Sequence, residues 1–298
     1  MPDQTIAVRQ PDETVIVKQR SMFRQILARL VRNRSAMIGF CLLMIIVVLC
    51  LLAPVIAPQG FNAQNISAKF QPPSLKYPCG TDNLGRDIFV RILYGGRISL
   101  LIGVVSTLFS AAIGIVIGLF AGYRGGSTDN VAMRIIDIVM SIPAILLAIT
   151  IAAALGTGVN SAIIAIGIAS IPIFARLTRA PIIQVKNEEY IEAARAISAS
   201  QFRIMFRHLL PNILSPLIVQ ITINVALSIM LAAGLSFLGM GVQPPNPEWG
   251  AIITSAKVYI IDHSYMVTMP GIAMALTVIS LNLFGDGLRD CLDPRLKI

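Results

Sequence analysis

Six stretches of this chain are apolar for long enough to cross a bilayer, whose hydrocarbon core is about 30 Å thick. The first, Ala36–Ala57, is uncharged, and the others run approximately Ile98–Gly122, Val131–Leu155, Val159–Leu177, Ile213–Leu235 and Met266–Phe284. Ahead of them, residues 1–35 are polar, but Met22, Phe23, Ile26, Leu27, Leu30 and Val31 recur at spacings of three and four. That period predicts a short amphipathic helix lying on the membrane surface. The first span starts too far from the N-terminus for a signal peptide and reads as uncleaved. Several spans are rich in Gly, Ala and Ser, as in Ser110–Gly114 and Ala152–Gly156, which lets helix backbones approach closely. Pro143, Pro172 and Pro216 predict kinks. The polar intervals are an outer segment 58–97, an inner loop 178–211 that reads as helical, a second outer segment 241–265 and a tail 289–298.

Composition agrees with an all-α polytopic membrane protein. Of 298 residues, 55% are hydrophobic and 13% charged, about half the charge of an average soluble domain. A disordered chain, a disulfide-stapled secreted domain and an ordinary soluble enzyme are excluded on those numbers. The net charge is +9, yet the basic residues sort by membrane side instead of forming a nucleic-acid patch. With the N-terminus placed inside, 18 of the 24 Lys and Arg fall on cytoplasmic segments. Six spans with both termini in the cytoplasm satisfy the positive-inside rule. Cys41, Cys50, Cys79 and Cys291 form no metal-binding or disulfide pattern. His208 and His263 fall on opposite sides of the membrane and cannot share a site.

The inner loop carries the most information. Residues 188–197 favour a helix with three Glu near its start, where the macrodipole accepts them. Ser198 and Gln201 match a capping box, which would end that helix and begin another. The second helix would carry Phe202, Met205, Phe206 and Leu209 on one face and Arg203 and Arg207 on another, closed by Pro211. A short protruding helix with paired alanines suits insertion into a groove on a partner. On geometry alone, that reading and a solvated connecting loop are equally open.

Glu192-Ala-Ala-Arg-Ala-Ile-Ser198, followed by Leu210-Pro211, resembles the EAA loop of permease subunits of ATP-binding-cassette importers. The family pattern has glycine where this chain has Ser198. Three more blocks resemble the dipeptide/oligopeptide permease branch: Gly80-Thr-Asp-Asn-Leu-Gly-Arg-Asp87 with Gly96–Leu100, Gly239–Gly250, and Gly285-Asp-Gly-Leu-Arg-Asp290 with Leu292-Asp-Pro294. The resemblance covers roughly residues 20–298. It implies a five-helix MetI-like (type I) core over 98–288, preceded by a peripheral first span over 36–57. It also implies a bacterial inner membrane, a second homologous permease subunit, two cytoplasmic ATP-binding subunits and an extracytoplasmic solute-binding protein. ATP and magnesium would belong to the partners, since the chain has no G-x-x-x-x-G-K-[ST] and no cofactor site of its own.

By the same resemblance, Tyr190, Glu192, Ala193, Ala194, Arg195 and Ser198 are the coupling-loop residues that meet an ATPase. Glu192 and Arg195, three apart, are placed to pair with each other or across the interface. Outside, Asp82, Arg86 and Asp87 mark a tight turn that either supports the fold or touches a binding protein. Glu248 is a candidate contact for that protein, and Trp249 an interfacial anchor. Asn224, Ser228 and Asn282 are candidate pathway-lining residues in a largely apolar path, which would leave specificity to the binding protein. Asp137 is the one acid well inside a span and is expected to pair with Arg134; Asp286 and Arg289 repeat that spacing. Peptides lead as the substrate, with nickel, glutathione or another solute as alternatives. An ion-coupled secondary transporter is the rival from another class, and only Asp137 favours it.

Overall fold

The computed structural model describes residues 28–292, so most of the expected surface helix and the end of the tail lie outside the described residues. Nine helices of eight residues or more organise the described chain: α1 (Arg34–Leu51), α2 (Ile88–Arg124), α3 (Gly126–Met140), α4 (Ala144–Leu155), α5 (Val159–Val185), α6 (Glu189–Ala196), α7 (Leu214–Phe237), α8 (Trp249–Ala256) and α9 (Tyr265–Leu292). Among the described residues there is no strand, only an isolated bridge between Thr81 and Asp87. Helices α1, α2, α5, α7 and α9 are each long and apolar enough to span, and α3 with α4 make a sixth candidate broken by an 87° bend.

That bend falls at Pro143, where a kink in Val131–Leu155 is expected from sequence, and it is sharp enough to break the helix in two. Pro143 lacks an N–H and pushes Ile142 out of helical backbone, so α3 ends at Met140 and α4 starts afresh at Ala144. Pro216 makes no kink, because it lies in the first turn of α7 where no intrahelical donor is needed. Pro172 and Pro181 are carried within the continuous helix α5. The first span is shorter than its apolar run: α1 ends at Leu51, and Ala53–Ile56 form a separate turn with proline at its start. Helix α2 begins ten residues earlier than the apolar run suggests, because the Asp87 side chain caps it, accepting from Phe89 N at 2.8 Å and Val90 N at 3.4 Å. Arg91 and Arg97, read from sequence as loop residues, therefore sit on a helix.

Between membrane helices, packing and hydrogen bonds supply the attraction that water would otherwise drive, so close approach matters. Gly114, Gly118 and Gly122 lie on one stripe of α2 against α5. A Cβ on Gly118 would sit 2.7 Å from Thr178 Cβ, and one on Gly122 would sit 2.9 Å from Ile182 Cβ. No side chain fits there, and α2 and α5 pack as one close pair. Two ion pairs add α3 to it: Asp129 with Arg179 at 2.5 and 2.6 Å, and Asp137 with Arg176 at 2.5 Å. Asp137 thus reaches across to α5 and not to Arg134 on its own helix. Asp286 and Arg289 likewise form no ion pair with each other. Helix α1 packs on α9, with Phe40 and Phe284 ring centroids 5.6 Å apart.

Three apolar clusters stack along the bundle, outer to inner in the sense that the distribution of Lys and Arg predicts. The outer one gathers Ile88, Ile92, Ile229, Trp249 and Ile252, and the middle one Ile102, Ala148, Ile166, Ala232 and Leu235. The inner one joins Leu119 and Ile182 to Ile191, Ala194, Ile204, Met205, Leu209 and Leu217, so the loop helix belongs to the core.

Candidate functional site

Helix α6 forms where 188–197 was expected to be helical, with Glu189 and Glu192 in its first turn and Arg195 in its last, each suited to the dipole. Only Ile191 (0% exposed) and Ala194 (6%) face inward, into the inner cluster that also holds Ile204, Met205 and Leu209. Ala194 is therefore part of the anchor, not of the free surface expected for it. Glu189, Glu192, Ala193, Ala196 and Ile197 are exposed on the opposite side, Ile197 at 80%. Ile197, an apolar residue at the helix tip, is a contact candidate that the sequence reading missed.

Tyr190 and Arg195 occupy the flanks. The Tyr190 hydroxyl accepts from Asn212 Nδ2 at 2.8 Å, and the same amide donates to His208 O at 2.7 Å. Partial burial, and after it the Glu188 carboxylate, pushes the Tyr190 phenol above its ordinary value. Arg195 does not pair with Glu192. Its guanidinium lies over the Tyr123 ring, 5.6 Å from the centroid, and Nη2 donates to Lys186 O at 3.2 Å.

Ser198 is not the start of the second helix. It sits at φ 57°, left-handed backbone, with Ser198 N donating to Arg195 O at 2.9 Å and Ala199 N to Ala194 O at 3.1 Å. Those two bonds are a Schellman stop, in which the residue after the C-cap must turn left-handed. The capping-box reading gives way because Ser200 caps instead, its Oγ accepting from Arg203 N at 3.3 Å. Ser198→Gly is expected to stabilise the protein by about 1 kcal/mol, since only the side chain opposes that backbone. A lowered thermal midpoint in detergent would instead make Ser198 a cap.

The second helix is also wound differently. After Gln201–Arg203, residues Ile204–Leu209 form a π-helix, and Leu210–Asn212 carry the chain to α7. The wider winding brings Ile204, Met205 and Leu209 inward and leaves Phe202 and Phe206 exposed, their rings stacked at 6.5 Å. Pro211 lies within this run and does not close it.

The external candidates are mostly inside the fold. Asp82 and Arg86 are buried, 6% and 8% exposed, and joined by a 2.6 Å bond from Arg86 Nε; Asp82 Oδ1 also accepts from Leu84 N and Arg86 N, each at 2.9 Å. Asp87 caps α2, and its own partial burial holds its carboxyl above the usual range. Glu248, fully buried, caps α8 through Gly250 N at 3.0 Å and Ala251 N at 2.9 Å, and accepts from Ser99 Oγ at 3.2 Å. Trp249 is 1% exposed and donates from Nε1 to Ile92 O at 2.9 Å. Neither residue offers a surface to a binding protein, and Trp249 anchors the outer core instead of the membrane interface. Over them folds the outer segment, with Phe70 stacked on His263 at 4.3 Å and Tyr265 donating to Thr81 O at 3.2 Å.

Within the bundle, Asn224 and Ser228 are buried between α7 and α2, where Thr107 Oγ1 lies 3.3 Å from Asn224 Nδ2 and 3.2 Å from Ser228 Oγ. They tie two helices together. Asn224 also borders a cavity of about 430 Å³ between α4, α5 and α7, with Ser170, Ile173 and Met230. Asn282 is exposed on α9, away from that cavity.

Comparison with known proteins agrees with this layout. Residues 114–298 match the family described as the binding-protein-dependent transport system inner membrane component, and residues 21–73 match the N-terminal transmembrane domain of oligopeptide transport permease C. The dipeptide transport system permease protein DppC of Alkalihalophilus pseudofirmus is 41% identical over 93% of this chain and 91% of its own length. The di/tripeptide permease DppC of Pseudomonas aeruginosa is 43% identical over 89% of each chain, and the glutathione permease GsiD of Escherichia coli 43% over 93% and 92%. In fold, the chain is similar to a solved inward-facing MetNI methionine ABC transporter, with a TM-score of 0.57 at 21% identity over 68% of this chain and 96% of that one. This multi-pass helical chain, whose family works with ATPase and binding-protein partners and is not itself the ATPase, belongs to the binding-protein-dependent ABC importer permeases.

Proposed function

We propose that this permease imports short peptides across the bacterial inner membrane, with both termini in the cytoplasm. It pairs with a homologous but distinct second permease, is driven by two cytoplasmic ATP-binding subunits that hold ATP and magnesium, and receives solute from an extracytoplasmic binding protein. The observation that carries the reading is α6: a helix sealed into the inner core by Ile191 and Ala194, with Glu192, Ala193, Ala196 and Ile197 left uncovered on its far side. Such a helix fits a groove on an ATPase. The cavity bordered by Asn224 and Ser170 serves as this subunit's half of the path, and its largely apolar lining makes few specific demands on the solute.

A cysteine at Ala193, in a chain freed of the exposed Cys41, is expected to crosslink specifically to an ATP-binding subunit in native membranes. Vesicles holding the complex should take up labelled dialanine only with ATP on the subunit's side. The glutathione permeases of equal similarity make glutathione the second solute to load. Uptake driven by a proton or sodium gradient, without any ATPase crosslink, would overturn the reading.

A further inference from the structure

Arg195, exposed on the flank of α6, turns its guanidinium toward the end of α2 and not toward the surface that the ATPase is proposed to meet. Helix α6 has eight residues and buries two side chains, too few to fix its orientation by apolar contact, which has no direction. Directional contacts flank it on both sides. On one, Asn212 holds Tyr190 to the start of α7. On the other, Arg195 lies over Tyr123, at the cytoplasmic end of α2, and donates to the backbone of Lys186. Lys186 itself caps α5 and sends Nζ 3.0 Å to Gly122 O, one of the carbonyls left free at the end of α2. Two contacts therefore meet within one turn of the α2 C-terminus, and a third ties Arg195 to the residue that caps α5. Gly122 is also the last residue of the glycine seam, so whatever moves the end of α2 moves α5 with it.

We propose that Arg195, with Tyr123 and Lys186, is the joint through which displacement of α6 reaches the α2–α5 pair: a positioning residue for coupling, not an ATPase contact. This rests on the reading of α6 as the docking helix. Removing the joint should leave α6 docked and the ATPases active, while the spans no longer follow.

The test uses the complete importer in proteoliposomes, with labelled dialanine, or glutathione if dialanine is not carried. Arg195→Gln and Tyr123→Leu are each expected to lower uptake on the order of tenfold, with ATP turnover and the crosslink from position 193 retained. Tyr123→Phe keeps the ring face and should restore uptake. The double variant should be no worse than the poorer single one, because both remove the same contact. Multiplying losses, normal uptake in Tyr123→Leu, or loss of the crosslink in Arg195→Gln alone would each overturn the joint. An Ala193→Cys chain with Arg195 and Tyr123 intact that fails to crosslink would instead sink the docking reading itself.

Discussion

Asp82→Ala is expected to cost about 3–5 kcal/mol, the range for removing one partner of a buried ion pair. Asp82 faces two buried guanidiniums, with Arg86 Nε at 2.6 Å and Arg91 Nε at 4.0 Å. Even with the carboxylate in place, Arg91 Nη1 has no hydrogen-bond partner among the described residues. Without Asp82, two positive charges would lie inside the outer cap with no anion, and two backbone N–H groups of the Leu84–Arg86 turn would lose their acceptor. The cap should open, seen as proteolysis within 58–87 and a lowered thermal midpoint in detergent. Adding Arg86→Met to Asp82→Ala removes one stranded charge and should recover part of the loss. A shift of Asp82→Ala within about 0.5 kcal/mol of wild type, as for an ordinary surface site, would mean that the cap does not depend on this cluster.

The spans were legible because a bilayer imposes a coarse requirement, length and apolarity, that sequence displays directly. Their ends were not. Asp87 extends α2 into a stretch that charge alone assigns to a loop, and a capping carboxylate is a local event that hydropathy averages away. Pro143 announced a disturbance, but whether proline bends a helix or ends it depends on what surrounds the corner. The seam of Gly114, Gly118 and Gly122 was there to be read from its four-residue spacing; what sequence withholds is that α5 is the helix facing it.

Helix α6 was legible from its motif, yet its faces were sorted only by structure. Ala193 and Ala194 are the same residue type, adjacent, and opposite in role: one exposed, one buried in the inner cluster. Glu248 and Trp249 mislead for a related reason. A carboxylate and an indole just after three prolines in a polar segment read as surface chemistry, whereas here each satisfies its polar atoms internally, one on the N-terminus of α8 and one on Ile92 O. Ser198 stands where relatives in the resemblance carry glycine, and the left-handed turn explains that glycine better than a cap explains the serine.

Ala193→Trp should abolish ATP-driven uptake while leaving insertion and abundance unchanged. Ala193 lies on the exposed side of α6, so an indole there meets no part of this chain's core, and its helix-propensity cost is a fraction of a kcal/mol. What it obstructs is the surface proposed to close against an ATPase, where a side chain of about 150–250 Å² cannot be accommodated by a groove shaped for a methyl group. Uptake of labelled dialanine is expected to fall at least about tenfold, the loss that roughly 1.4 kcal/mol at that interface would produce. Ala194→Trp, one residue on, should behave differently. It drives the ring into the inner cluster, costs about 1–3 kcal/mol by overpacking, and lowers folded yield together with uptake. The contrast between the two neighbours separates a blocked interface from a damaged fold. Wild-type uptake in Ala193→Trp would remove α6 from the coupling path, however faithfully its motif is kept.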